Sequence, residues 1–351
     1  MRAQDFLSIR WKDVEGPLIE PPAFSPLIAD PSFLFPEESP GGDAHGEWEL
    51  FAHSAWGIHR YSSRDGLSWR DRGIAVRNAM RPFVRRISLA PDRGSDTDAA
   101  RSYHLYFESY PPLALALSVL PAKRPWKSRL ALSRSENLSR WTRPEPILAP
   151  ELPWMADPKL GESLSNPCVT PIAPATPGSA GVPDSGTSSH AWRLYYSASL
   201  SWIPDCGFCE PRYIGLAESP SPLGPFTPRS APILDPKADT LPGVLGAGSI
   251  KVLPMEDGYI GLQNKIYRDP GGTSRSAIFI LRSDDGLSWA PARDAPLLAP
   301  ASSGWTSSHV YACDCRFREK DGLWYLYFNA RDGWRITEGR ERIGRMVGKP
   351  D

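Results

Sequence analysis

Aromatic and aliphatic side chains recur along this chain in short runs that end on a polar residue. Five such runs stand out: Trp48-Glu-Leu-Phe-Ala-His-Ser54, Tyr103-His-Leu-Tyr-Phe-Glu-Ser109, Trp192-Arg-Leu-Tyr-Tyr-Ser-Ala198, Tyr259-Ile-Gly-Leu-Gln-Asn-Lys265 and Trp324-Tyr-Leu-Tyr-Phe-Asn-Ala330. Their length and their alternating aromatic content predict strands. Downstream a second phrase repeats as Tyr61-Ser-Ser-Arg-Asp-Gly-Leu-Ser-Trp69, Leu132-Ser-Arg-Ser-Glu-Asn-Leu-Ser-Arg-Trp141 and Leu281-Arg-Ser-Asp-Asp-Gly-Leu-Ser-Trp289, with a degenerate copy from Leu216 to Phe226. Each reads as a strand, a tight turn and an aromatic that opens the next strand. Three copies lead into an outer segment: Pro146-Ile-Leu-Ala-Pro150, Pro232-Ile-Leu-Asp-Pro236 and Pro296-Leu-Leu-Ala-Pro300. Before each aromatic run lies a shorter strand, introduced by Asp30-Pro31, Arg81-Pro82 and Asn166-Pro167, then by Gly248-Ser249 and Cys313-Asp314.

Four antiparallel strands written five times predict an all-β fold, a five-bladed β-propeller. The blades fall at about 29–76, 77–150, 162–236, 246–300 and 308–348. The fifth repeat stops at Arg342-Ile-Gly-Arg-Met346 without an outer strand, which residues 8–20 would supply, so that an N-terminal strand closes the ring. The 351 residues then form a single domain, 1–351. The stretches Pro91 to Arg101 and Pro174 to Ser189 read as hairpin loops inside blades, because the repeat resumes after each.

Composition narrows the function. With 38 Pro, 29 Gly and 13 Trp, little of the chain is left for long helices. Lys and Arg number 40 against 40 Asp and Glu, a balance that argues against nucleic-acid or anionic-membrane partners. Apolar stretches such as Leu113 to Leu117 fall far short of the roughly 20 residues of a membrane span. The segment Met1 to Trp11 lacks the apolar core and cleavage site of a secretory leader, and five cysteines are an odd number for a disulfide framework; both favour the cytoplasm. No phosphate-cradling glycine loop, nucleophile elbow or His-Glu-x-x-His run occurs, and nothing in the sequence requires a cofactor. Cys206-x-x-Cys209 and Cys313-x-Cys315 could assemble a zinc site, but the second spacing is tighter than usual, so no metal ligands are assigned and the thiols are read as buried or in loops. The oligomeric state is not read from the sequence.

The fivefold strand and turn phrases, with Ala29-Asp-Pro31 opening the first repeat, resemble the glycoside hydrolases of the family 43, 32, 68, 117 and 130 type over nearly the whole chain. The resemblance implies a five-bladed propeller acting on furanosides or related sugars. It also implies a role for Asp30, as general base of an inverting enzyme or nucleophile of a retaining one. Two departures place the chain on a divergent branch outside family 43 proper. Arg81 stands where that family has a second Asp, and Ser165-Asn166-Pro167 stands where it has its acid Glu, with Glu162 a few residues earlier.

The innermost strands of a propeller start at one mouth of the channel, so short polar residues there converge although far apart in sequence. Cleaving a glycosidic bond needs two carboxyl groups, one protonated and one ionised. Asp30 is the first, and Glu162, Glu108 and Asp314 compete for the second. Alignment of the aromatic strands stacks His53, Glu108, Ser197, Asn264 and Asn329 in one column, which would rim the same mouth and bind substrate; ordinary turn chemistry is the plainer alternative. Arg81 could clamp a carboxylate or phosphate, hold a catalytic carboxylate ionised, or form a structural ion pair with Asp30 or Glu108. Asn166 opens the third repeat at the same level. His309 opens the fifth and could bind a sugar or a structural cation on the channel axis, or be a structural residue. Trp56, Trp154, Trp202, Trp305 and Trp334 could stack on sugar faces, whereas Trp69, Trp141 and Trp289 belong to the blade core. The expected activity is a glycosidase on a carbohydrate substrate; a glycoside phosphorylase or transferase, or a non-catalytic carbohydrate-binding propeller, are the alternatives.

Overall fold

The repeated phrases form five four-stranded antiparallel sheets, numbered I to V here in chain order. The computed structural model describes residues 1–13, 16–88, 101–115, 125–172, 191–335 and 337–350. Sheet I runs Ala29–Leu34, Trp48–Ser54, Gly57–Ser63 and Arg70–Val76. Sheet II runs Ala79–Ser88, Arg101–Ser109, Arg129–Ser135 and Glu145–Leu148. Sheet III runs Leu164–Pro171, Trp192–Ile203, Phe208–Ser219 and Thr227–Pro228. Sheet IV runs Val244–Met255, Gly258–Arg268, Ser274–Ser283 and Ala290–Pro291. In sheet V, His309–Arg318, Leu323–Arg331 and Glu341–Lys349 are joined at the edge by Arg10–Asp13, which pairs antiparallel with the last of them. The loop readings at 91–101 and 174–189 lie outside the described residues, apart from Arg101. Among the described residues no helix is long and apolar enough to cross a membrane.

Burial follows strand position. Every residue of Trp48–Ser54 is buried, because a central strand has neighbours on both faces, whereas most of the outer strand Arg70–Val76 is exposed. The first strands of successive sheets touch in order, I to II, II to III, III to IV, IV to V, and V again to I.

The second repeated phrase carries the contact between sheets. The phenol of Tyr327 in sheet V donates to the Gly66 carbonyl in the turn of sheet I at 2.8 Å, Tyr106 in sheet II to Pro222 in sheet III at 2.8 Å, and Tyr195 in sheet III to Gly286 in sheet IV at 2.9 Å. The turn itself is held by an acidic or amide side chain: Asp65 Oδ1 accepts the N–H groups of Leu67 and Ser68 at 2.8 Å, and Asp285 Oδ1 those of Leu287 and Ser288 at 2.7 and 2.8 Å. The tryptophan that ends the phrase then packs edge-on against an aromatic of the preceding sheet: Trp141 on Phe51, Trp289 on Tyr195, and Trp69 on Tyr327.

The innermost strand of every sheet is broken by a β-bulge at the same level. The register shifts between Ala29 and Ser32, Met80 and Phe83, Ser165 and Cys168, Gly246 and Ser249, and Val310 and Cys313. In the first three sheets the bulge holds Asp30, Arg81 and Asn166 at φ of 52°, 56° and 48°, and in sheet IV it holds Gly248 at 61°. Left-handed backbone at a bulky residue such as Arg81 costs on the order of 1–3 kcal/mol, and bulges re-aim side chains. The repeated bulge is thus the device that points these side chains into a common space.

Candidate active site

That space is a cavity of about 180 Å³, lined by the bulge residues Asp30, Arg81, Asn166 and Gly248, by His53, Asn264 and Asn329 from the ends of second strands, and by Glu210, Arg331, Tyr311 and Glu341. Five of the expected binding residues therefore meet at one place: His53, Arg81, Asn166, Asn264 and Asn329.

The other expected residues stand elsewhere. Glu162 is exposed on the two-residue strand Gly161–Glu162, which pairs with Trp126–Lys127, and it borders a separate depression with Tyr110 and Lys127. The chain has still to pass Ser163 and Leu164 before it reaches the bulge, so Asn166 and not Glu162 arrives at the cavity. Asp314 is one layer too deep. The fifth inner strand begins at His309, and Asp314 pairs across to Tyr327 as Ser32 pairs to Phe51 and Phe83 to Tyr106. There it accepts from Arg85 at 2.8 and 2.9 Å, from the Ser32 hydroxyl at 2.8 Å and from the Phe33 N–H at 3.2 Å. Burial would raise its pKa, but Arg85 and Lys251 hold it below the usual carboxylate value. Glu108 is buried behind Arg81, bonded to the guanidinium, and takes the Trp126 Nε1–H at 2.9 Å on its second oxygen. His309 lies behind the Tyr311 ring, stacked on it at 5.5 Å, with its ring nitrogens at Ser308 Oγ (2.5 Å) and Cys206 Sγ (3.5 Å). Burial and the nearby Arg331 push it down to about 3, which leaves a neutral structural imidazole.

Cys209 lines the cavity beside Glu210, but the other four cysteines and the tryptophans do not. Trp305 stacks on Phe328 and Trp154 on Tyr196, both in the packing between strands. Cys206 belongs to a small cluster with Ile203 and Ile266, while Cys313 and Cys315 are buried in a different core. Among the described residues no group of three or more His, Cys, Asp and Glu is placed to hold a metal ion.

Glu210 and Glu341 were not anticipated, and both come from third strands. In sheet III the hairpin is long, and Glu210 pairs with Ser201 four residue pairs beyond the Ser197 level. Antiparallel pairing sets the start of a third strand beside the end of the second, so the logic that selected the His53 column also selects Glu210 and Glu341 once it is carried one strand outward.

The electrostatics separate the three carboxyls. Burial raises the Asp30 pKa, with Arg81 and Lys251 pulling it back. Burial pushes Glu210 up to about 8 against the pull of Arg81, with Glu341 and Asp30 adding to the rise. Glu341 goes to about 7 by burial against Arg331, again with Asp30 adding to the rise. Burial is the main cause of both rises, and a negative charge on Asp30 adds to each. Asn329 ties the group together: its Oδ1 accepts the Asp30 N–H at 3.1 Å and its Nδ2 donates to Glu341.

His53 completes the surroundings of Asp30. The Arg81 N–H donates to His53 Nδ1 at 3.3 Å, which makes that nitrogen an acceptor and the ring neutral. Burial and the Arg81 charge push its pKa down to about 3 in agreement. Asp30 Oδ2 lies 3.3 Å from the same nitrogen, and with the ring neutral the contact is no ion pair. Below the cavity, Lys251 Nζ donates to the Pro167 carbonyl at 3.0 Å and places a fixed positive charge near both Asp30 and Asp314.

No family model matches this sequence, and no curated protein matches it. Solved structures match over almost the whole chain. A glycoside hydrolase superposes with a TM-score of 0.65 at 15% identity, over 99% of this chain and 94% of its own. A thermostable family-43 glycoside hydrolase gives a TM-score of 0.54 at 13% identity, over 93% and 90% of the two chains. Zg3597, a family 117 glycoside hydrolase from the marine bacterium Zobellia galactanivorans, gives 0.53 at 15% identity, over 98% and 92%. At these identities the likeness is one of fold: this chain is built like the family 43 and family 117 glycoside hydrolases and is divergent from them in sequence.

Proposed function

We propose that this chain is a five-bladed β-propeller glycoside hydrolase, one domain over residues 1–351, with Asp30 as general base or nucleophile and Glu210 as general acid. The observation that carries the reading is the meeting of Asp30, Glu210 and Glu341 on one cavity, where burial raises the proton affinity of all three and two cations stand against the rise at Asp30. The blade reading is supported by the ordered contact of the first strands and by the pairing of Arg10–Asp13 with the last strand.

At neutral pH Glu210 keeps its proton and supplies it to the leaving-group oxygen. Asp30, where the Arg81 and Lys251 charges work against the rise that burial causes, serves either as base toward a water or as nucleophile toward the anomeric carbon. The cavity, about 180 Å³, is smaller than the roughly 300–1,000 Å³ of sites for drug-sized ligands and suits one furanose or small pyranose ring. No step calls for a cofactor, and Lys251 already supplies the charge an axial cation would bring. Acceptance of phosphate in place of water is less favoured, because Arg81 is committed to Glu108 and the cavity wall is rich in carboxyls.

The test is hydrolysis of nitrophenyl furanosides and pyranosides of arabinose, galactose, xylose and fructose type by wild type, Asp30→Asn and Glu210→Gln, with and without phosphate. Turnover that falls by about 10²–10⁴ in both variants supports the assignment. Phosphate-dependent turnover would move the reading to a phosphorylase, and wild-type rates in Asp30→Asn would refute the site.

A further inference from the structure

Large apolar side chains stand exposed at few positions among the described residues: Phe24, Trp56 and Leu113 in loops, Leu67 in a turn of the second phrase, and Trp202 near the end of a strand. Phe24 is the extreme case, 94% exposed at φ 61°. A phenylalanine in the left-handed region is strained, and one that buries nothing gains no packing in return. The conformation is nevertheless held. Ser25 Oγ donates to the Leu27 carbonyl at 2.8 Å and accepts the Ala55 N–H at 3.2 Å, and Trp56 Nε1 donates to the Ala23 carbonyl at 3.1 Å. The loop bearing Phe24 is thereby pinned to the turn bearing Trp56, itself 48% exposed. Both lead directly into the cavity wall, through Leu27 on one side and His53 on the other.

We propose that Phe24 and Trp56 form a carbohydrate-stacking shelf, which takes the leaving-group side of an oligosaccharide whose terminal ring sits in the cavity; this rests on the glycoside reading above. On that reading the cavity takes one ring, so the rest of a longer substrate lies outside it, and these two rings stand on the segments that lead into its wall at Leu27 and His53. The apolar face of a sugar ring matches an aromatic face, while its hydroxyls reach the polar groups between. Single aromatic faces set among Pro21, Pro22 and Ser25 fit a chain of sugars better than a second copy of this protein, which would call for a larger continuous apolar area.

The experiment measures affinity by calorimetry for a ladder of mono- to tetrasaccharides of arabinose, xylose and fructose type, in the Glu210→Gln background so that the ligand persists. It compares Phe24 with Phe24→Gly and Trp56 with Trp56→Ala. Glycine adopts φ 61° without strain, so Phe24→Gly removes the ring while preserving the loop. The shelf requires affinity to rise about tenfold or more from mono- to disaccharide with the aromatic residues present, and the rise to shrink to within about twofold in either variant. A rise that persists in both variants overturns the shelf, even if wild type hydrolyses the ladder. A rise lost in the variants of a protein that hydrolyses none of these sugars leaves the shelf standing and removes the hydrolase reading. A rise absent throughout, or a self-association in sedimentation that Phe24→Gly abolishes, overturns the shelf.

Discussion

The Arg81 guanidinium is bonded to Glu108, and this pair, not a second aspartate, stands beside Asp30. Glu108 is fully buried and the Arg81 side chain is 22% exposed, so the pair is screened little by solvent. Each partner depends on the other: Glu108 compensates a cation in the wall of the cavity, and the cation in turn favours ionised Asp30.

Glu108→Gln is therefore expected to destabilise the fold by about 3 kcal/mol in urea denaturation, since it leaves a buried cation without its countercharge. Arg81, freed from Glu108, turns its full attraction on Asp30 and lowers its pKa. The acid limb of the kcat/KM profile then moves to lower pH. An unmoved acid limb in a folded variant would separate Arg81 from the ionisation of Asp30.

Glu210 makes opposite demands on activity and stability. As the acid it must be protonated, so activity falls as pH rises through about 8, and Glu210→Gln removes that limb together with most of the turnover. Its pKa is raised in the folded state above the unfolded value, which means the folded state binds the proton more tightly. Between the ordinary glutamate value of 4.5 and about 8, stability is lost progressively with rising pH. Glutamine carries no such penalty, and Glu210→Gln is expected to be more stable than wild type at pH 8 by on the order of a few kcal/mol, with the difference vanishing below pH 4.5. Denaturation midpoints at pH 4, 6 and 8 check the sign.

Glu341 tunes Glu210 through charge. Its carboxylate raises the Glu210 pKa, so Glu341→Gln lowers it and shifts the alkaline limb of activity to lower pH. Glutamine can still accept the Asn329 amide, and Asn329 remains to hold the Asp30 backbone, so the site keeps its geometry. A loss of activity at all pH values without a shift would instead give Glu341 a direct role in proton transfer.

The sequence shows the fold through its repeats because each phrase is tied to a local interaction. Asp65 and Asp285 make the turn, and Trp69, Trp141 and Trp289 pack the neighbouring sheet, so the residues are fixed in type and spacing. Asp30, Arg81 and Asn166 were legible for a related reason, as each precedes a proline in a bulge that every sheet shares. Glu210 left no such mark. Its place depends on how far one hairpin outgrows the others, and its protonation on burial and on four charges from other sheets, none of them adjacent in sequence. Asp314 was misplaced for the complementary reason: the bulge of sheet V falls at Tyr311 and Ala312, with no proline to announce it, so Asp314 takes the register of Ser32 and not that of the bulge.

Two glycines of nearly equal backbone test whether the contact between sheets is as fixed as the repeats suggest. Gly286 and Gly322 sit at φ of 72° and 68°, so an alanine at either pays a similar conformational cost of about 1 kcal/mol. Around Gly322 nothing lies within 4 Å of an added Cβ, whereas at Gly286 the Cβ would stand 2.6 Å from Arg193 Nη1 and 2.7 Å from Tyr195 Oη. Those two groups donate to the carbonyls of Asp285 and Gly286, so relieving the clash breaks the hydrogen bonds that join sheet III to sheet IV. Gly286→Ala is expected to lose about 2–4 kcal/mol in urea denaturation and Gly322→Ala about 1 kcal/mol. Equal losses would mean that Tyr195 and Arg193 move aside freely and that the sheets are joined by their tryptophans alone.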